Sequence, residues 1–467
     1  MWLGRTRRVH FVGVGGIGMS GIAELLVNLG YEVSGSDARR SDITDRLSSL
    51  GVRVFTGHDG RHVGDADVVV TSSAITLDNP EIAAARARHV PVIPRAEMLA
   101  ELMRLRVGIA VAGAHGKTTT TSMIAVLLER AGLDPTAVIG GRLSAFGSNA
   151  RLGRGQYIVV EADESDRSFL KLTPAIAVIT NIDREHLETY GSFDRLVEAF
   201  AEFADRIPFY GAVVACIDNA PVRALVPRLT RRVITYGFSE DADVHGLDPQ
   251  VDGASGRCGV RYRVRGVAES AAHERLALHV PGRHNLQNAL AAVAVGVELG
   301  IPFDQIQAAL AGFRGVERRY QIRGDARGIR VIDDYGHHPT EIAAVLAAAR
   351  GGRPSRLVAV FQPHRFSRTR DLLMDFGPAL AGADIVVLTD IYAAGEAPLE
   401  GVTLDALANA VRPSVAALHV VPRIDDVPAA VARLARAGDL IVTLGAGSIG
   451  AASSRIVDAL GHEDGQS

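Results

Sequence analysis

The segment Gly113–Thr119 places two glycines, a lysine and hydroxyl side chains in an order suited to binding phosphates. It reads Gly-x-x-Gly-Lys-Thr and follows the apolar run 107–112. Glycines let the backbone approach a phosphate, the Lys117 ammonium can contact the β- and γ-phosphates, and the Thr118 hydroxyl can bind Mg²⁺. The chain has only two lysines, Lys117 and Lys171, so composition does not explain the lysine in this loop. The segment therefore predicts ATP binding.

A second glycine loop, with glycines at 13, 15, 16 and 18, lies between the apolar run 9–14 and the helix predicted over 19–29. Backbone N–H groups at such a helix start can receive a phosphate. Asp37 ends the next predicted strand, where a ribose-binding acid stands in dinucleotide domains. A tight packing turn is the alternative for the loop. The motif alone does not separate a dinucleotide from a nucleotide sugar.

Acidic side chains follow two further predicted strands. Glu161, Asp163, Glu164 and Asp166 come after one strand, and the segment 181–186, which ends in His186, comes after the next. Carboxylates at strand ends beside a phosphate loop are placed to hold Mg²⁺ or to order its waters. A solvated acidic loop is the alternative, and because Mg²⁺ prefers oxygen ligands, spacing leaves the role of His186 open.

The C-terminal third carries two polar clusters, 333–339 and 362–370, each directly after a predicted strand. Arg365 and Arg368 could clamp a carboxylate with their planar guanidinium groups; a surface basic loop is the alternative. His284 and Asn288 stand at the start of an alanine-rich helix, where they fit helix caps and nucleotide contacts equally well.

These residues need elements to position them, and short apolar runs alternate with helical periods along the whole chain. Such alternation predicts α/β domains with parallel sheets. The 467 residues suffice for about three domains, which we place at 1–106, 107–322 and 323–467. The stretch 230–280 is rich in Val, Gly and Arg, and we expect inserted antiparallel strands there.

Composition excludes several classes of protein. The net charge of −3 offers no basic excess for a nucleic-acid backbone. Apolar runs long enough to span a membrane are absent from the sequence, and glycines interrupt the apolar stretch that follows the N-terminal arginines, which argues against a signal peptide. Two cysteines cannot form a secreted disulfide framework, so we expect a reduced, cytoplasmic protein.

Together the motifs resemble the Mur ligases, the ATP-dependent amide-forming enzymes of peptidoglycan precursor synthesis. The resemblance covers nearly the whole chain in order, through GVGGIGMSGIA, GSD, TSSAI, RAEML, GAHGKTTT, EADESD, NIDREHLETY, PGRHNLQNALAA, DDYGHHPTE, FQPHRFSRT, YAAGE and LGAGSI. It implies a Rossmann-like nucleotide-sugar domain, a P-loop ATPase domain with a parallel sheet and a small antiparallel part, and a C-terminal Rossmann-like domain that binds the amino acid.

The resemblance also implies roles for individual residues. UDP-N-acetylmuramate is expected at Gly15, Gly16, Ile17, Gly18, Met19 and Ser20, with Asp37, His58, Ser72, Ser73 and Arg95 nearby. ATP is expected at Gly113, Ala114, His115, Gly116, Lys117, Thr118 and Thr119, with His284, Asn288 and Asp333. Two Mg²⁺ ions are expected at Thr118, Glu161 and His186. L-Alanine is expected among Tyr335, His337, His364, Arg365 and Arg368, and the catalytic set is Lys117, Glu161, His186, His337 and Arg365.

Within the family, the branch that joins L-alanine to UDP-N-acetylmuramate is the nearest. Some other branches bridge Mg²⁺ with a carbamylated lysine, and no lysine follows Lys171. The branch that joins a murein tripeptide to the same nucleotide sugar remains the alternative, although its third domain resembles DDFAHHP rather than DDYGHHP. We expect a monomer or weak homodimer without nucleic-acid or membrane partners. A nicotinamide-dependent oxidoreductase and a catalytically silent ATP switch explain fewer of the motifs.

Overall fold

The computed structural model describes residues 3–72, 75–143, 148–252, 257–267 and 275–462. The chain forms two compact units, each built from several segments. The first comprises Met1–Leu247, Arg261–Arg275 and Gln287–Phe313, and the second comprises Asp248–Val260, Leu276–Leu286 and Arg314–Ser467. The proposed domain limits at 106 and 322 stay a prediction.

The N-terminal part of the first unit is a five-stranded parallel sheet with helices in the connections. Its strand order is β3-β2-β1-β4-β5, so the chain reverses direction across the sheet at β1. The strands are β1 (Arg8–Val12), β2 (Glu32–Asp37), β3 (Arg53–Thr56), β4 (Val68–Thr71) and β5 (Val92–Pro94). The helices are α1 (Ile17–Asn28), α2 (Asp42–Ser49), α3 (Pro80–Ala87) and α4 (Arg95–Met103).

The central sheet has ten strands in the order β15-β14-β13-β12-β11-β10-β6-β9-β7-β8. They are β6 (Val107–Ala112), β7 (Thr136–Leu143), β8 (Ser148–Arg151), β9 (Tyr157–Glu161), β10 (Ile176–Ile179), β11 (Ala212–Cys216), β12 (Val233–Gly237), β13 (Val244–Asp252), β14 (Arg257–Val264) and β15 (Arg275–Leu278). The accompanying helices are α5 (Lys117–Arg130), α6 (Leu187–Tyr190), α7 (Phe193–Asp205), α8 (Ala220–Leu225), α9 (Arg283–Glu298) and α10 (Phe303–Ala311).

The central strands β9, β6, β10 and β11 are parallel, and their apolar runs are buried on both faces. β8 pairs antiparallel with β7. β12 lies in the stretch for which we expect antiparallel strands, yet it pairs in parallel with both β11 and β13. For the pair with β11 the reason is topological, because α8 carries the chain back across the sheet before β12 begins and a crossover connection yields parallel neighbours.

The C-terminal part has a six-stranded sheet in the order β16-β17-β21-β18-β19-β20, in which the edge strand β16 runs antiparallel to β17 and the other neighbouring strands are parallel. Its strands are β16 (Gln321–Ala326), β17 (Ile329–Asp334), β18 (Arg356–Phe361), β19 (Ile385–Leu388), β20 (Leu418–Val420) and β21 (Asp439–Leu444). Its helices are α11 (Pro339–Arg350), α12 (Phe366–Asp371), α13 (Phe376–Leu380), α14 (Leu404–Val411), α15 (Val427–Leu434) and α16 (Ile449–His462).

The parallel arrangement brings the predicted functional segments to strand ends. The carboxyl ends of neighbouring parallel strands meet at one edge, and open α/β sheets bind ligands there. The two glycine loops follow β1 and β6, the first acidic segment follows β9, and the C-terminal polar clusters follow β17 and β18. Among the described residues, no helix combines the length and apolar character needed to cross a membrane.

Candidate active site

The first glycine loop is held against the end of β2. The amides of Gly13 and Val14 donate to the Ser36 carbonyl at 2.8 and 2.9 Å, and the Gly15 amide donates to Asp37 Oδ2 at 2.9 Å. A Cβ on Gly15 would lie 2.8 Å from that same oxygen, so a side chain there would displace the carboxylate. The loop and Asp37 thus form one polar edge at the start of α1.

Three more residues expected at the nucleotide sugar lie beside this loop. A Cβ on Gly18 would be 2.6 Å from Arg95 Nη1, and one on Gly13 would be 3.8 Å from Ser72 Oγ. His58 Nδ1 is 3.1 Å from Ser36 Oγ. Of the other predicted positions, Ile17, Met19 and Ser20 are in the first turn of α1, with the last two side chains buried. Ser73 lies outside the described residues.

Lys117 begins α5 directly after Gly116, which adopts the left-handed conformation with φ 79°. Its ammonium group donates to the carbonyls of Gly113 at 2.6 Å and Ala114 at 3.2 Å, and to Glu164 Oε1 at 2.9 Å. Burial opposes the charged form, but the carboxylates of Glu164, Glu161 and Asp163 raise the pKa of Lys117 above its ordinary value. The lysine is therefore a fixed positive charge at the phosphate loop.

Thr118 and Glu161 supply adjacent oxygens on the same side of the loop. The Thr118 hydroxyl donates to Glu161 Oε1 at 3.2 Å, and the Gly140 amide donates to Glu161 Oε2 at 2.8 Å. Magnesium prefers such hard oxygen ligands. The chemistry of this pair therefore fits a cation bound with the nucleotide phosphates.

His186 lies in a second group that could hold a metal ion, together with Glu164 and Glu185. Its Nε2 is 3.9 Å from Glu164 Oε1 and 3.8 Å from Glu185 Oε2. Glu164 Oε2 is buried and makes no hydrogen bond among the described residues. Glu161 is not a member of this group, so the structure places His186 beside Glu164 and Glu185, two carboxylates of the acidic segments that the family resemblance did not include among the magnesium ligands.

Two further side chains border the phosphate loop. His115 Nε2 is 2.9 Å from Asp183 Oδ2, while the His115 amide donates to Asn181 Oδ1 at 2.8 Å. A Cβ on Gly116 would lie 2.7 Å from Asn288 Oδ1, so Asn288 on α9 directly adjoins the loop. The residues expected to contact the nucleotide at these positions are thus assembled within the first unit.

In the second unit, Asp333 is fully buried, and two arginines compensate the charge of its carboxylate. It accepts hydrogen bonds from Arg318 Nε at 3.1 Å, Arg323 Nη2 at 2.9 Å and Thr443 Oγ1 at 3.0 Å. Two guanidinium groups on one carboxylate fix the end of β17. His284 is half-buried, and desolvation followed by the charge of Arg319 lowers its pKa to about 4, so its ring is neutral at physiological pH.

The remaining predicted residues of this unit form one aromatic and cationic cluster after β17 and β18. The ring centre of His337 is 5.5 Å from those of both Tyr335 and His364. Arg368 Nη1 is 3.3 Å from His364 Nδ1. Burial, then the nearby His337 and Arg368, lowers the pKa of His364 to about 3, which keeps that ring uncharged.

Arg365 precedes α12 with φ 73°, a conformation unusual for a residue with a side chain. Its amide donates to the Tyr392 carbonyl at 2.8 Å, and its Nε is buried without a hydrogen-bond partner among the described residues. A buried guanidinium nitrogen without a partner is costly, and a ligand carboxylate would satisfy it.

Comparison with known proteins identifies the family to which these sites belong. Residues 8–106 match the model described as Mur ligase family, catalytic domain; residues 111–296 match the Mur ligase middle domain; and residues 318–447 match the Mur ligase, glutamate ligase domain. This chain belongs to the Mur ligase family.

Individual relatives match along nearly the full length of this Mur ligase. It is 54% identical over 448 residues to UDP-N-acetylmuramate–L-alanine ligase of Geobacter sp. (strain M21), covering 96% of each chain. The corresponding ligase of Koribacter versatilis is 53% identical, with 98% of each chain covered. Among solved structures, UDP-N-acetylmuramate–alanine ligase of Thermotoga maritima is 30% identical with a TM-score of 0.82, covering 97% of this chain and 98% of that one. A murein peptide ligase of Psychrobacter arcticus is 25% identical with a TM-score of 0.72, covering 98% and 99%.

Sequence reasoning on this Mur ligase missed two buried carboxylates. Glu164 was named within an acidic motif, but its pairing with Lys117 was not predicted. Glu81, which is fully buried beside His58 and Ser36, belongs to none of the motifs. A glutamate in the first turn of a helix resembles an ordinary solvated residue, so its burial was the missing signal.

Proposed function

We propose that this Mur ligase joins L-alanine to the lactyl carboxylate of UDP-N-acetylmuramate with conversion of ATP to ADP and phosphate. The product is UDP-N-acetylmuramoyl-L-alanine, a peptidoglycan precursor. The observation that carries the proposal is identity above 50% over at least 96% of the chain to ligases of that name from Geobacter and Koribacter. The sites described above supply the chemical parts that this reaction needs.

The first step converts a poor electrophile into a good one. A carboxylate does not condense with an amine in water, because oxide is a poor leaving group. Attack of the lactyl carboxylate on the γ-phosphorus of ATP gives an acyl phosphate and ADP. Lys117, held among Gly113, Ala114 and Glu164, is positioned to contact the transferring phosphoryl group.

Magnesium fits the oxygen set at the phosphate loop. Thr118, Glu161 and His186 are the residues we assign to hold it, and Glu164 and Glu185 surround His186. When bound, Mg²⁺ neutralises negative charge on the phosphates and the transferring group. The protein's own contribution is to keep these side chains oriented in a buried setting.

The second step forms the amide. The neutral amine of L-alanine attacks the acyl carbon, and the tetrahedral intermediate expels phosphate. Arg365 and Arg368 are assigned to the alanine carboxylate, since the buried Nε of Arg365 has no hydrogen-bond acceptor among the described residues. His337 is assigned to take the amine proton; its Nδ1 lies 3.0 Å from the Tyr335 carbonyl, which makes Nε2 the basic nitrogen of the neutral ring.

Phosphate release tests the proposal directly. The purified chain receives ATP, Mg²⁺ and UDP-N-acetylmuramate, and then L-alanine, D-glutamate or the L-alanine-led tripeptide in separate reactions. We expect L-alanine alone to stimulate release and mass spectrometry to detect the alanyl product. Stimulation by the tripeptide instead would assign the chain to the recycling branch, and no stimulation by any of the three would remove the ligase proposal.

A further inference from the structure

Glu81 is a fully buried carboxylate in the first turn of α3. Its own amide donates to Asn79 Oδ1 at 2.9 Å, which caps the helix. The positive end of the helix dipole therefore faces the side chain and favours its ionised form. A buried charge is expensive unless several donors satisfy it, and the surroundings of Glu81 provide them.

Five groups approach the two oxygens of Glu81. Oε2 accepts a hydrogen bond from the Ser36 hydroxyl at 2.6 Å and lies 3.2 Å from His10 Nε2. Oε1 accepts from the Asp59 amide at 3.2 Å and lies 3.1 Å from His62 Nδ1 and 3.5 Å from His58 Nδ1. We call Glu81, His10, Ser36, His58 and His62 the Glu81 cluster.

The carboxylate fixes which atoms in this cluster carry hydrogens. Burial opposes ionisation, but hydrogen bonds from His10 and Ser36 outweigh it and lower the pKa of Glu81 to about 2. An ionised carboxylate only accepts hydrogen bonds, so each neighbour must donate. The Ser36 hydroxyl therefore donates its hydrogen to Glu81 and can only accept a hydrogen bond from a further partner.

That further partner is His58. Its Nδ1 lies 3.1 Å from Ser36 Oγ, and since Ser36 accepts there, Nδ1 carries the hydrogen. In the neutral ring, Nε2 then presents a lone pair. The side chain is 24% exposed, and Nε2 makes no hydrogen bond among the described residues. His58 thus offers one acceptor of fixed identity to a ligand.

The sheet order places this acceptor on one side of the glycine loop. The phosphate-binding loop follows β1, and Asp37, the ribose-binding candidate, ends β2. A nucleotide laid across these strands therefore directs its base toward β3. The Gly57 amide after β3 donates to the Asp37 carbonyl at 2.8 Å, and His58 is the next residue. The acceptor, Nε2 of His58, consequently lies on the side of the glycine loop where the base is expected.

We propose that Glu81 is a positioning residue that acts through Ser36 to hold His58 with Nε2 as a hydrogen-bond acceptor for the imide N3–H of a uracil base. Cytosine has no hydrogen on N3, so the lone pair of its N3 would face the lone pair of His58 Nε2 and no hydrogen bond would form. The inference rests on the proposed function in that it takes the ligand of the first glycine loop to be a uridine nucleotide sugar.

Binding to the unmodified chain gives the first test. Calorimetry compares UDP, CDP and UDP methylated on N3 of the base, without ATP or alanine. Loss of one hydrogen bond should weaken binding of the last two about tenfold; equal affinities would overturn the inference. Because the binding measurement needs no reaction, the two proposals can fail separately. If the chain prefers UDP over the other two ligands but does not ligate alanine, only the proposed function is refuted. If it ligates alanine but binds the three ligands equally well, only this inference is refuted.

Variants test the route through Ser36. Ser36→Ala breaks the link to His58, and Glu81→Gln replaces the fixed acceptor by an amide that can donate. Both should weaken UDP binding about tenfold and reduce the preference for UDP over its N3-methyl form toward one, with the KM for ATP and alanine unchanged. A Ser36→Ala protein that folds and keeps full preference would contradict the proposal.

His62→Gln is the matched control. His62 also contacts Glu81 and stacks on Phe55 at 4.3 Å, but it has no contact with Ser36 among the described residues. It should lower the melting temperature and leave the preference for UDP intact. Nitrogen-15 NMR of the histidines in the unmodified chain decides the matter even if the variants misfold, because hydrogen on Nε2 rather than Nδ1 of His58 would refute the assignment.

Discussion

The guanidinium group of Arg95 lies 3.3 Å from the carboxylate of Asp163. Arg95 begins α4 and crowds Gly18 of the first glycine loop, whereas Asp163 follows β9 and contributes to the charge around Lys117. Burial raises the pKa of Asp163, but Lys117, a hydrogen bond with Ser165 and Arg95 bring it below its ordinary value. One arginine therefore connects the proposed nucleotide-sugar loop with the charges of the proposed ATP site.

Replacement of Arg95 should affect the nucleotide sugar first. For Arg95→Ala we expect a rise of about tenfold in the KM for UDP-N-acetylmuramate, because a cation beside the glycine loop is lost. Steady-state kinetics measure it. Arg104→Ala is the control, since Arg104 closes the same helix, is 66% exposed and pairs with Glu101. A raised KM for ATP alone would show that Arg95 serves Asp163 instead.

Replacement of Lys117 should separate chemistry from sugar binding. Lys117→Ala removes the fixed charge at the phosphate loop, and we expect phosphate release to fall about 10³-fold while binding of UDP-N-acetylmuramate persists. Calorimetry and phosphate release measure the two properties. Lys171→Ala provides a matched control, because this second lysine is 45% exposed and pairs with Glu97. Loss of sugar binding in the Lys117 variant would refute the division between the two loops.

Replacement of Arg365 should act on the amino acid. Arg365→Ala removes the buried Nε that lacks a partner among the described residues, and we expect the KM for L-alanine to rise about 10- to 100-fold with the KM for ATP unchanged. Arg370→Ala, in the helix α12 that follows Arg365, is the control, since Arg370 is exposed and pairs with Asp371. An unchanged alanine KM together with a raised ATP KM would overturn the assignment.

Acid stability should report on Glu81. Its pKa in the folded chain is about 2, below the ordinary value of 4.5, so its ionised form stabilises the fold above about pH 4.5 and that contribution disappears as the pH falls through 2. We expect Glu81→Gln to cost about 2 kcal/mol near pH 5, with the difference from the unmodified chain shrinking toward pH 3.

Chemical unfolding at several pH values measures this difference. The titratable groups that face Glu81 from its neighbouring elements are His10, His58 and His62. Glu101→Gln is the control, because Glu101 is 43% exposed and its loss should matter little at any pH. A constant cost for Glu81→Gln across the acid range would show that the carboxylate is not ionised in the folded chain.

Much of the fold followed from local patterns. The apolar run 107–112 that precedes the phosphate loop is strand β6 with the same bounds, because buried parallel strands are short apolar runs between turn-forming residues. The glycine loops were recognisable for the same reason, since left-handed conformations such as those of Gly13 and Gly116 favour glycine. The parallel pairing of β12 with β11 was not predicted, because the direction in which a strand pairs depends on where the preceding helix lies.

The sequence by itself determined which segments end strands and which of them carry phosphate-binding, acidic or cationic side chains. Tertiary structure decided which charges meet. Lys117 and Glu164 are 47 residues apart, Arg95 and Asp163 are 68 apart, and His10 and Glu81 are 71 apart. Periodicity reports burial and local conformation over a few residues, whereas these contacts depend on strand order and on helices packed across the sheet. Glu81 illustrates the difference, because only its burial among donors turns an ordinary helical glutamate into a fixed acceptor.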